Sequence, residues 1–438
     1  MKHLSFKKGI HPKYHKELTN AKPIELLLPK EELVYPMQQH IGSPCKPLVK
    51  KGDRVLVGQK IGEPTGFVGA PIHSSVSGTV KVVEERVNHQ GHLVMCVVVT
   101  NDFTYEEILE LKDGGVEDYT KLTSEEIVAI IKEAGLVGMG GATFPTFIKL
   151  SPPKDKVIKH IIVNGAECEP YLTSDHRVML EEGERIIAGL KILLHMFKDA
   201  TAFVGIEDNK MDAVENMSRL CEKESKIEVK VLETKYPQGS EKHLIYATTG
   251  LEVPSGKLPA DVGAIVLNVD SIVAIWRAVT KGRPIMRRIV TVTGNGVKNP
   301  TNFKIRLGMS FRDVLEAAGW DEQATVKVIS GGPMMGAALS SVDVPIGKGT
   351  SAILCLTEDE VDATPTSNCI RCGKCIQACP MRLVPNALHH AALHHEDDEF
   401  KAYYGMDCIE CGSCSYVCPA KRQLVQSIRT AKNRVRQK

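Results

Sequence analysis

The sequence lacks any apolar run long enough to cross a membrane, and its charge is almost balanced. The most apolar stretch, residues 263–279, is interrupted by Asp270 and Arg277, well short of the ~20 residues that a spanning helix needs. A formal net charge of +2 gives no indication of nucleic-acid binding. The first residues are polar and lack the apolar core of a signal peptide. We therefore expect any membrane association to go through partners or a surface helix.

Cysteine, by contrast, is abundant and concentrated near the C-terminus. Eight of the 13 cysteines form two runs with the same spacing, C-x2-C-x2-C-x3-C-P. Thiolates at this spacing bind two 4Fe-4S clusters, and the fourth cysteine of each run usually ligates the cluster of the other run. The predicted iron ligands are Cys369, Cys372, Cys375, Cys379, Cys408, Cys411, Cys414 and Cys418. The protein is therefore expected to carry electrons.

Zinc and disulfide bonds are the competing interpretations of these cysteines. A tetrahedral zinc site uses two cysteine pairs and has no use for a third cysteine at the same interval. Disulfide frameworks are typical of small secreted chains, whereas this chain has 438 residues. Iron-sulfur clusters fit best, and the free thiolates that they need imply a reducing compartment.

The length and the changes of pattern predict an α/β multidomain protein. The predicted parts are a barrel-sandwich domain at 1–115, an α/β domain at 116–286, a β-grasp domain at 287–341, a linker at 342–366 and a dicluster ferredoxin-type domain at 367–438. The first resembles a lipoyl or biotinyl carrier domain in the phrases VKKGDRVLVGQKIG and APIHSSVSGTV. Its hairpin at 63–69 contains no lysine, so we expect a scaffold without a swinging cofactor arm.

The central part alternates between predicted helices and strands. A capping box at 123–126 opens an amphipathic helix that Gly135 ends. Predicted strands at 157–163, 201–206 and 227–232 alternate with helices at 175–197 and 208–222, which indicates a mainly parallel sheet covered by helices. A ββαβ order follows from Arg288. Predicted helices between the two cysteine runs favour an α-helical ferredoxin.

A glycine-rich segment, GLVGMGGATFPTFIK at 135–149, follows the first of these helices. Its glycines allow backbone N–H groups to approach a phosphate or a flavin ring closely. By itself such a loop is weak support, because it is not the G-x-G-x-x-G fingerprint of a dinucleotide fold. The segment NGAECEP follows this loop and lies at the carboxyl end of a predicted strand. Open α/β sheets bind their ligands at that end of their strands.

Together with YPQGSE at 236–241 and LNVD at 267–270, these segments resemble the FMN- and NADH-binding subunit of respiratory complex I. The β-grasp unit resembles the SLBB domain of that subunit. This chain differs from that subunit because it has two cysteine runs and a lipoyl-like domain in front. The whole arrangement, with VGMGGATFPT, VNGAECEPYLTSDHR and YPQGSEKHLI, resembles the C subunits of Rnf complexes, the ion-translocating ferredoxin:NAD oxidoreductases of bacterial membranes. An alternative with the same plan is the soluble flavin and iron-sulfur cobalamin reductase of propanediol metabolism.

The Rnf resemblance implies FMN, NAD(H) and two 4Fe-4S clusters as cofactors. Gly138, Gly140 and Gly141 would turn against the flavin, Phe144 would lie on the nicotinamide side, and Lys149 would place a cation near the phosphates or the ring. The polar residues expected to bind flavin and nucleotide are Asn164, Glu167, Glu169, Tyr236, Gly239, Ser240, Glu241 and Asn268. For each of them, capping of a loop is the alternative role.

Other side chains are expected to be structural. Cys168 lies within the proposed flavin site, where a buried inert thiol is the simpler interpretation. Residues His389, His390, His394 and His395 have ligand spacing, but they lie on a predicted helix between the cysteine runs and are expected to be solvated or packed. The last segment, 421–438, has seven basic residues and no acid. It either docks on an acidic partner or anionic lipid, or packs its apolar stripe on the cluster domain.

These features predict an NADH-dependent oxidoreductase without an acid or base residue. NADH donates a hydride and a cluster accepts one electron, so a flavin must stand between them. The resemblance implies a translocase subunit for electron and ion transport. It would lie peripherally on the cytoplasmic side of the cell membrane, with the other Rnf subunits, NADH and ferredoxin as partners. A non-enzymatic electron-wiring scaffold is the remaining hypothesis. The coupling ion and the direction of electron flow are not encoded in this chain.

Overall fold

The computed structural model describes residues 3–112 and 114–437. Its N-terminal part contains a small helix and eight strands. They are β1 (Ile24–Leu26), β2 (Glu32–Pro36), β3 (Cys45–Pro47), β4 (Arg54–Val55), β5 (Lys60–Pro64), β6 (Ile72–His73), β7 (Gly78–Val87), β8 (Leu93–Asn101) and α1 (Leu109–Lys112). Two sheets, β2-β8-β7-β4 and β3-β5-β6, form the expected sandwich. Strand β1 is not part of it.

The segment before the sandwich packs on two other sheets. Leu4 forms a bridge with Leu232, and Ile10 forms one with Tyr236. Strand β1 pairs in parallel with a strand of the β-grasp sheet, Ile24 opposite Asn302. The predicted domain at 1–115 therefore includes an N-terminal strap that ties the domains together, because its partners lie hundreds of residues away.

The central domain is a parallel sheet covered by helices on both faces. Its elements are α2 (Ser124–Glu133), α3 (Thr146–Lys149), β9 (His160–Gly165), α4 (Ser174–Glu181), α5 (Gly183–Met196), β10 (Thr201–Glu207), α6 (Met211–Cys221), β11 (Ile227–Leu232), α7 (Glu241–Thr249), β12 (Ala264–Asn268) and α8 (Val269–Lys281). The sheet order is β11-β10-β9-β12, with all neighbours parallel. The predicted capping box of α2 is present, as Thr123 and Glu126 bond reciprocally.

Alternation along β9 explains the two helical layers. Ile161 and Val163 belong to the large core that contains α5 and α8. Ile162 belongs to a smaller core on the opposite face, packed with Leu244 and Ile245 of α7. Because successive side chains of a strand point to opposite faces, both faces of this strand are apolar and buried. The carboxyl ends of β9 and β12 are left to meet at one edge of the sheet.

The β-grasp domain is a six-stranded sheet with one helix. Its elements are β13 (Arg287–Thr293), β14 (Thr301–Arg306), α9 (Phe311–Ala317), β15 (Thr325–Ser330), β16 (Ala337–Ala338) and β17 (Ala352–Thr357). The sheet order is β1-β14-β13-β17-β15-β16. Its apolar face shares a core with the sandwich, where Phe311 and Val290 lie with Leu33 and Tyr35.

The predicted linker at 342–366 is wrong for most of its length. Strand β17 lies between β13 and β15 in the middle of the β-grasp sheet, and its residues Ile353, Leu354 and Cys355 are fully buried. Val344 and Ile346 also enter the core. An apolar run of this length does not reveal its partners in the sequence, because they come from residues 287–330. Residues 362–372 are continuously exposed and lead into the cluster domain.

The cluster domain is helical, as predicted. It contains α10 (Lys374–Ala378), α11 (Pro385–Leu393), α12 (Asp397–Ala402), α13 (Ser413–Tyr416) and α14 (Leu424–Gln437). Helix α14 packs along α11, and its Ile428 and Ala431 lie in one core with Leu388 and Phe400. The C-terminal basic segment is thus part of this domain's fold.

Candidate functional site

The glycine-rich loop lies against the edge where β9 and β12 end. Asn164 and Asn268 are directly opposite each other in the paired strands. The side chain of Asn268 caps α8 by accepting a hydrogen bond from the Asp270 N–H at 2.9 Å. A Cβ placed on Gly140 would lie 3.5 Å from the Asn268 side chain. The structure therefore brings the loop and both asparagines to one place, the usual ligand edge of a parallel sheet.

The loop is closed on itself and open to solvent. The Gly138 N–H donates to the Phe144 carbonyl at 2.9 Å, and the Thr143 N–H donates to the Gly138 carbonyl at 3.2 Å. Gly140 and Gly141 are exposed, and a Cβ on Gly141 would meet nothing within 4 Å although its φ is +101°. Packing within the protein does not require glycine at 140. Room for a ligand that approaches the backbone closely would explain a glycine at this position.

A second group of predicted residues lines the start of α7. The Asn164 amide donates to the Gly239 carbonyl at 2.8 Å, and a Cβ on Gly239 would come within 3.3 Å of Asn164 and of Cys168. Cys168 accepts a hydrogen bond from the Gly239 N–H. Burial raises the pKa of the Cys168 thiol, which supports the interpretation of an inert thiol. Ser240 is the N-cap residue of α7.

Lys149 is paired within the protein. Its ammonium donates to Glu241 at 2.6 Å and to the Val266 carbonyl at 3.1 Å. The Lys149 side chain is 29% exposed and that of Glu241 39% exposed, so both remain accessible from solvent. Phe144, on the loop itself, is half-buried. Lys149 is thus held at the edge of the site by Glu241, a residue predicted from the sequence to bind the ligand.

Glu167 lies in the same segment but is turned into the protein. Its carboxylate accepts hydrogen bonds from the Asp175 N–H at 2.7 Å, the His176 N–H at 3.2 Å and the Ser174 hydroxyl at 3.2 Å. These are the free donors at the start of α4. The alternative role of a capping residue fits Glu167 better than contact with a ligand.

Glu169 and Tyr236 face the cluster domain. The Tyr236 hydroxyl donates to the Cys411 carbonyl at 2.7 Å and lies 3.4 Å from Glu169. Glu169 also accepts the Met334 N–H at 3.1 Å, and burial raises its pKa to about 7. These two residues connect the segments predicted to bind nucleotide to the second cysteine run, a place that the sequence did not indicate.

One cysteine quartet surrounds a cavity inside the cluster domain. The cavity wall includes Cys379 together with Cys408, Cys411 and Cys414. Burial raises the pKa of Cys408 to about 11 and that of Cys414 to about 12, and binding of a metal group releases the protons of such thiols. Cys379 joins the second run, as the ferredoxin spacing predicts.

The other four cysteines lie toward the surface. Cys369 and Cys372 are exposed, while Cys375 and Cys418 are partly buried and pack against the cluster of Cys414, Leu424 and Val425. Within the part of the chain that the structure describes, no group of three or more His, Cys, Asp or Glu is compact enough for a single metal ion. A 4Fe-4S cluster is larger than a single ion, so its thiolate ligands lie further apart than those of one metal ion.

The histidines on α11 make protein contacts. His389 shares hydrogen bonds with Ser427 at 2.6 Å and with Arg422 at 2.8 Å. The rings of His390 and His394 lie 4.3 Å apart. Packed or solvated histidines were predicted here, and these contacts match that role.

Two charged residues around the site, buried Lys16 and partly buried Asp175, were missed by sequence reasoning. Lys16 donates to the carbonyls of Glu167, Glu169 and Leu172 at 2.5–2.9 Å, and burial lowers its pKa to about 8. Asp175 accepts a hydrogen bond from the Asn268 amide at 2.6 Å, and burial together with the Glu167 charge raises its pKa. No local pattern distinguishes these residues from surface charges.

Comparison with known protein families supports the same assignment of parts. The matching models are the RnfC barrel sandwich hybrid domain at residues 4–104, the Nuo51 FMN-binding domain at 131–277, the SLBB domain at 289–338 and a 4Fe-4S dicluster domain at 363–423. The predicted fold class is therefore confirmed. A solved NAD+-reducing [NiFe]-hydrogenase aligns with 74% of this chain and 63% of its own at 17% identity, but its TM-score of 0.49 supports no further argument.

Relatives match over most of the length. The chain is 46% identical, over 88% of its residues and 83% of the relative, to the C subunit of the proton-translocating ferredoxin:NAD(+) oxidoreductase complex of Clostridium ljungdahlii. It is 47% identical, over 99% of its residues and 98% of the relative, to the C subunit of the Na(+)-translocating ferredoxin:NAD(+) oxidoreductase complex of Acetobacterium woodii. On this similarity, the chain belongs to the family of C subunits of ion-translocating ferredoxin:NAD oxidoreductase complexes, the Rnf complexes.

Proposed function

We propose that this protein passes electrons between NAD(H) and ferredoxin as a peripheral subunit of a membrane-bound, ion-translocating complex. The observation that carries the proposal is the order of its parts. The buried quartet adjoins the nucleotide-binding segments through the bond from Tyr236 to Cys411. The quartet that contains Cys369 and Cys372 is exposed on the outside of the same domain.

The residues present fit FMN and two 4Fe-4S clusters. An exposed glycine turn at the carboxyl edge of a parallel sheet suits a flavin, and two complete cysteine quartets suit two clusters. When bound, the flavin supplies the change between a hydride and single electrons, and the clusters carry single electrons. The family models for an FMN-binding domain and a 4Fe-4S dicluster domain support this cofactor set.

The chain's own residues hold and orient the ligands. Gly138, Gly140 and Gly141 are proposed to admit the flavin, and Phe144 to bound the nicotinamide side. Asn164, Gly239, Ser240 and Asn268 would supply polar contacts from the two sheet ends. Lys149, held by Glu241, would place its cation toward the phosphates. Glu167, Glu169 and Tyr236 would act on the protein side, by capping α4 and by joining the site to the buried quartet.

The exposed quartet is the place where a partner subunit would take or deliver electrons. Within residues 3–112 and 114–437, no helix is both long and apolar enough to cross a bilayer. Membrane attachment is therefore proposed to depend on other subunits of the complex, on the cytoplasmic side. The relatives named above are subunits of ion-translocating complexes, so none of them supports the alternative of a soluble cobalamin reductase.

The proposal is tested by anaerobic reconstitution of the full chain. We expect about eight irons, noncovalently bound FMN, and oxidation of NADH with ferricyanide as acceptor. Protein reconstituted without FMN serves as the control and should show no NADH oxidation. Flavin-loaded protein that fails to oxidise NADH would instead support the hypothesis of a non-enzymatic scaffold.

A further inference from the structure

A buried arginine of the β-grasp domain reaches the glycine-rich loop. Arg288, on β13, is 2% exposed. Its guanidinium donates to the Met139 carbonyl at 2.7 Å, to the Asp270 carboxylate at 3.1 Å and to the Thr350 carbonyl at 2.9 Å. One side chain thus joins the loop, the start of α8 and the segment before β17.

Met139 is held at both of its backbone polar groups. Its carbonyl accepts from Arg288, and its N–H donates to the Ser271 hydroxyl at 2.9 Å. Met139 itself is 3% exposed, whereas the next two residues, Gly140 and Gly141, are exposed. The clamp therefore ends where the open glycine turn begins.

Two neighbouring contacts from the β-grasp side act on the same loop. Lys348, 1% exposed, donates to the Gly135 carbonyl at 2.8 Å. A Cβ on Gly349 would lie 2.5 Å from the Thr143 side chain, so this glycine allows the two segments to touch. The loop is thus held at residues 135, 139 and 143 from outside the region that the FMN-binding model matches, residues 131–277.

We propose that Arg288 is a positioning residue for the flavin, through which the β-grasp domain sets the conformation of the glycine-rich loop. This inference rests on the proposed function, because it requires the loop to bind FMN. A planar guanidinium suits the role, since it donates in several fixed directions at once, whereas a lysine ammonium is a single point of charge. The buried carboxylate of Asp270 keeps the guanidinium oriented.

The test compares Arg288→Lys with a matched arginine of the adjacent strand. Arg306, on β14, contacts the Ser75 carbonyl and the Tyr105 ring of the sandwich. FMN is added to flavin-free protein, and the Kd is measured from the quenching of flavin fluorescence. Because a hydrogen bond from a charged donor is lost, Arg288→Lys should weaken FMN binding about tenfold. Arg306→Lys should leave the Kd of FMN unchanged.

A second variant avoids the buried charge. Ser271→Ala removes only the neutral bond to the Met139 N–H and should weaken FMN binding about fivefold. Ser271→Ala should keep the melting temperature and the iron content of the wild type, which separates loop positioning from general damage. Arg288→Lys should keep the iron content, although its melting temperature should fall because a buried charged group loses hydrogen bonds. Wild-type affinity in Ser271→Ala, or in folded Arg288→Lys, would overturn the inference and leave the proposed function intact. A wild-type chain that binds no FMN would overturn both.

Discussion

At the scale of single residues, Gly140 is the most direct test of where the flavin lies. The space beside it belongs to no other part of the described chain, since a Cβ there would make only an ordinary contact with Asn268 at 3.5 Å. A side chain at this position is therefore compatible with the fold. It would occupy the volume that we assign to the ligand.

We expect Gly140→Val to abolish FMN binding while leaving the iron content and melting temperature unchanged. Gly140→Ala, with a smaller side chain, should give an intermediate affinity. Fluorescence titration with FMN measures both effects. Normal flavin occupancy in Gly140→Val would show that the loop is placed wrongly.

Cys379 tests the exchange of ligands between the two runs. It lines the cavity of Cys408, Cys411 and Cys414, although it belongs to the first run in sequence. We expect Cys379→Ser to perturb the electron paramagnetic resonance signal of the buried cluster and to spare that of the other. Cys418→Ser is the matched control and should perturb the exposed cluster. The same signal changing in both variants would contradict this assignment.

At the scale of elements, helix α14 depends on its packing. A helix of this length is marginal in water by itself, and Leu424, Val425 and Ile428 are buried against the cluster domain. Many of its cations are already paired: Arg429 and Lys432 bind Glu410, and Arg434 binds Asp397. Of the two interpretations of the basic segment, these contacts favour a helix that covers the clusters.

Deletion of residues 421–438 should therefore lower the iron content, because Val425 and Ile428 line the cavity of the buried quartet. Deletion of residues 436–438 alone should retain full iron, because Arg436 and Gln437 are exposed and lie outside the cavity wall. Iron analysis and membrane recovery are measured on both. Loss of membrane recovery with full iron in the longer deletion would instead support docking on a partner or lipid.

At the scale of the whole molecule, the buried quartet lies next to the segments predicted to bind nucleotide, and the other quartet lies toward the surface. Cys411 and Tyr236 share an apolar cluster with Cys168 and Ile10, which places the buried quartet beside the proposed flavin site. Cys369 and Cys372 are exposed on the same domain. The N-terminal strap reinforces this arrangement, since Lys8 donates to the Ile376 carbonyl at 2.8 Å.

This order predicts unequal effects of removing either cluster. In Cys372→Ala, which disrupts the exposed quartet, NADH should still reduce the buried cluster. In Cys411→Ala, which disrupts the buried quartet, the exposed cluster should remain oxidised when NADH is added. Electron paramagnetic resonance after anaerobic mixing measures both. Fast reduction of the exposed cluster in Cys411→Ala would contradict the proposed order.

The sequence alone determined the order of the domains and the location of the glycine-rich loop, and it predicted the cluster ligands. These properties are local: cysteine spacing sets the cluster type, and hydrophobic periodicity with caps sets helices and strands. The capping box of α2 and the strands β9 to β11 follow from residues within a few positions of each other.

Only the tertiary structure decided which polar residues face a ligand and which hold the protein together. Glu167 caps α4, Tyr236 bonds to Cys411, and strand β17 completes a sheet that was predicted to end before it. Arg288 lies 149 positions from the loop that it holds. Such contacts depend on which elements pack together. A charged side chain is buried, and then needs hydrogen-bond partners, only once the chain has folded.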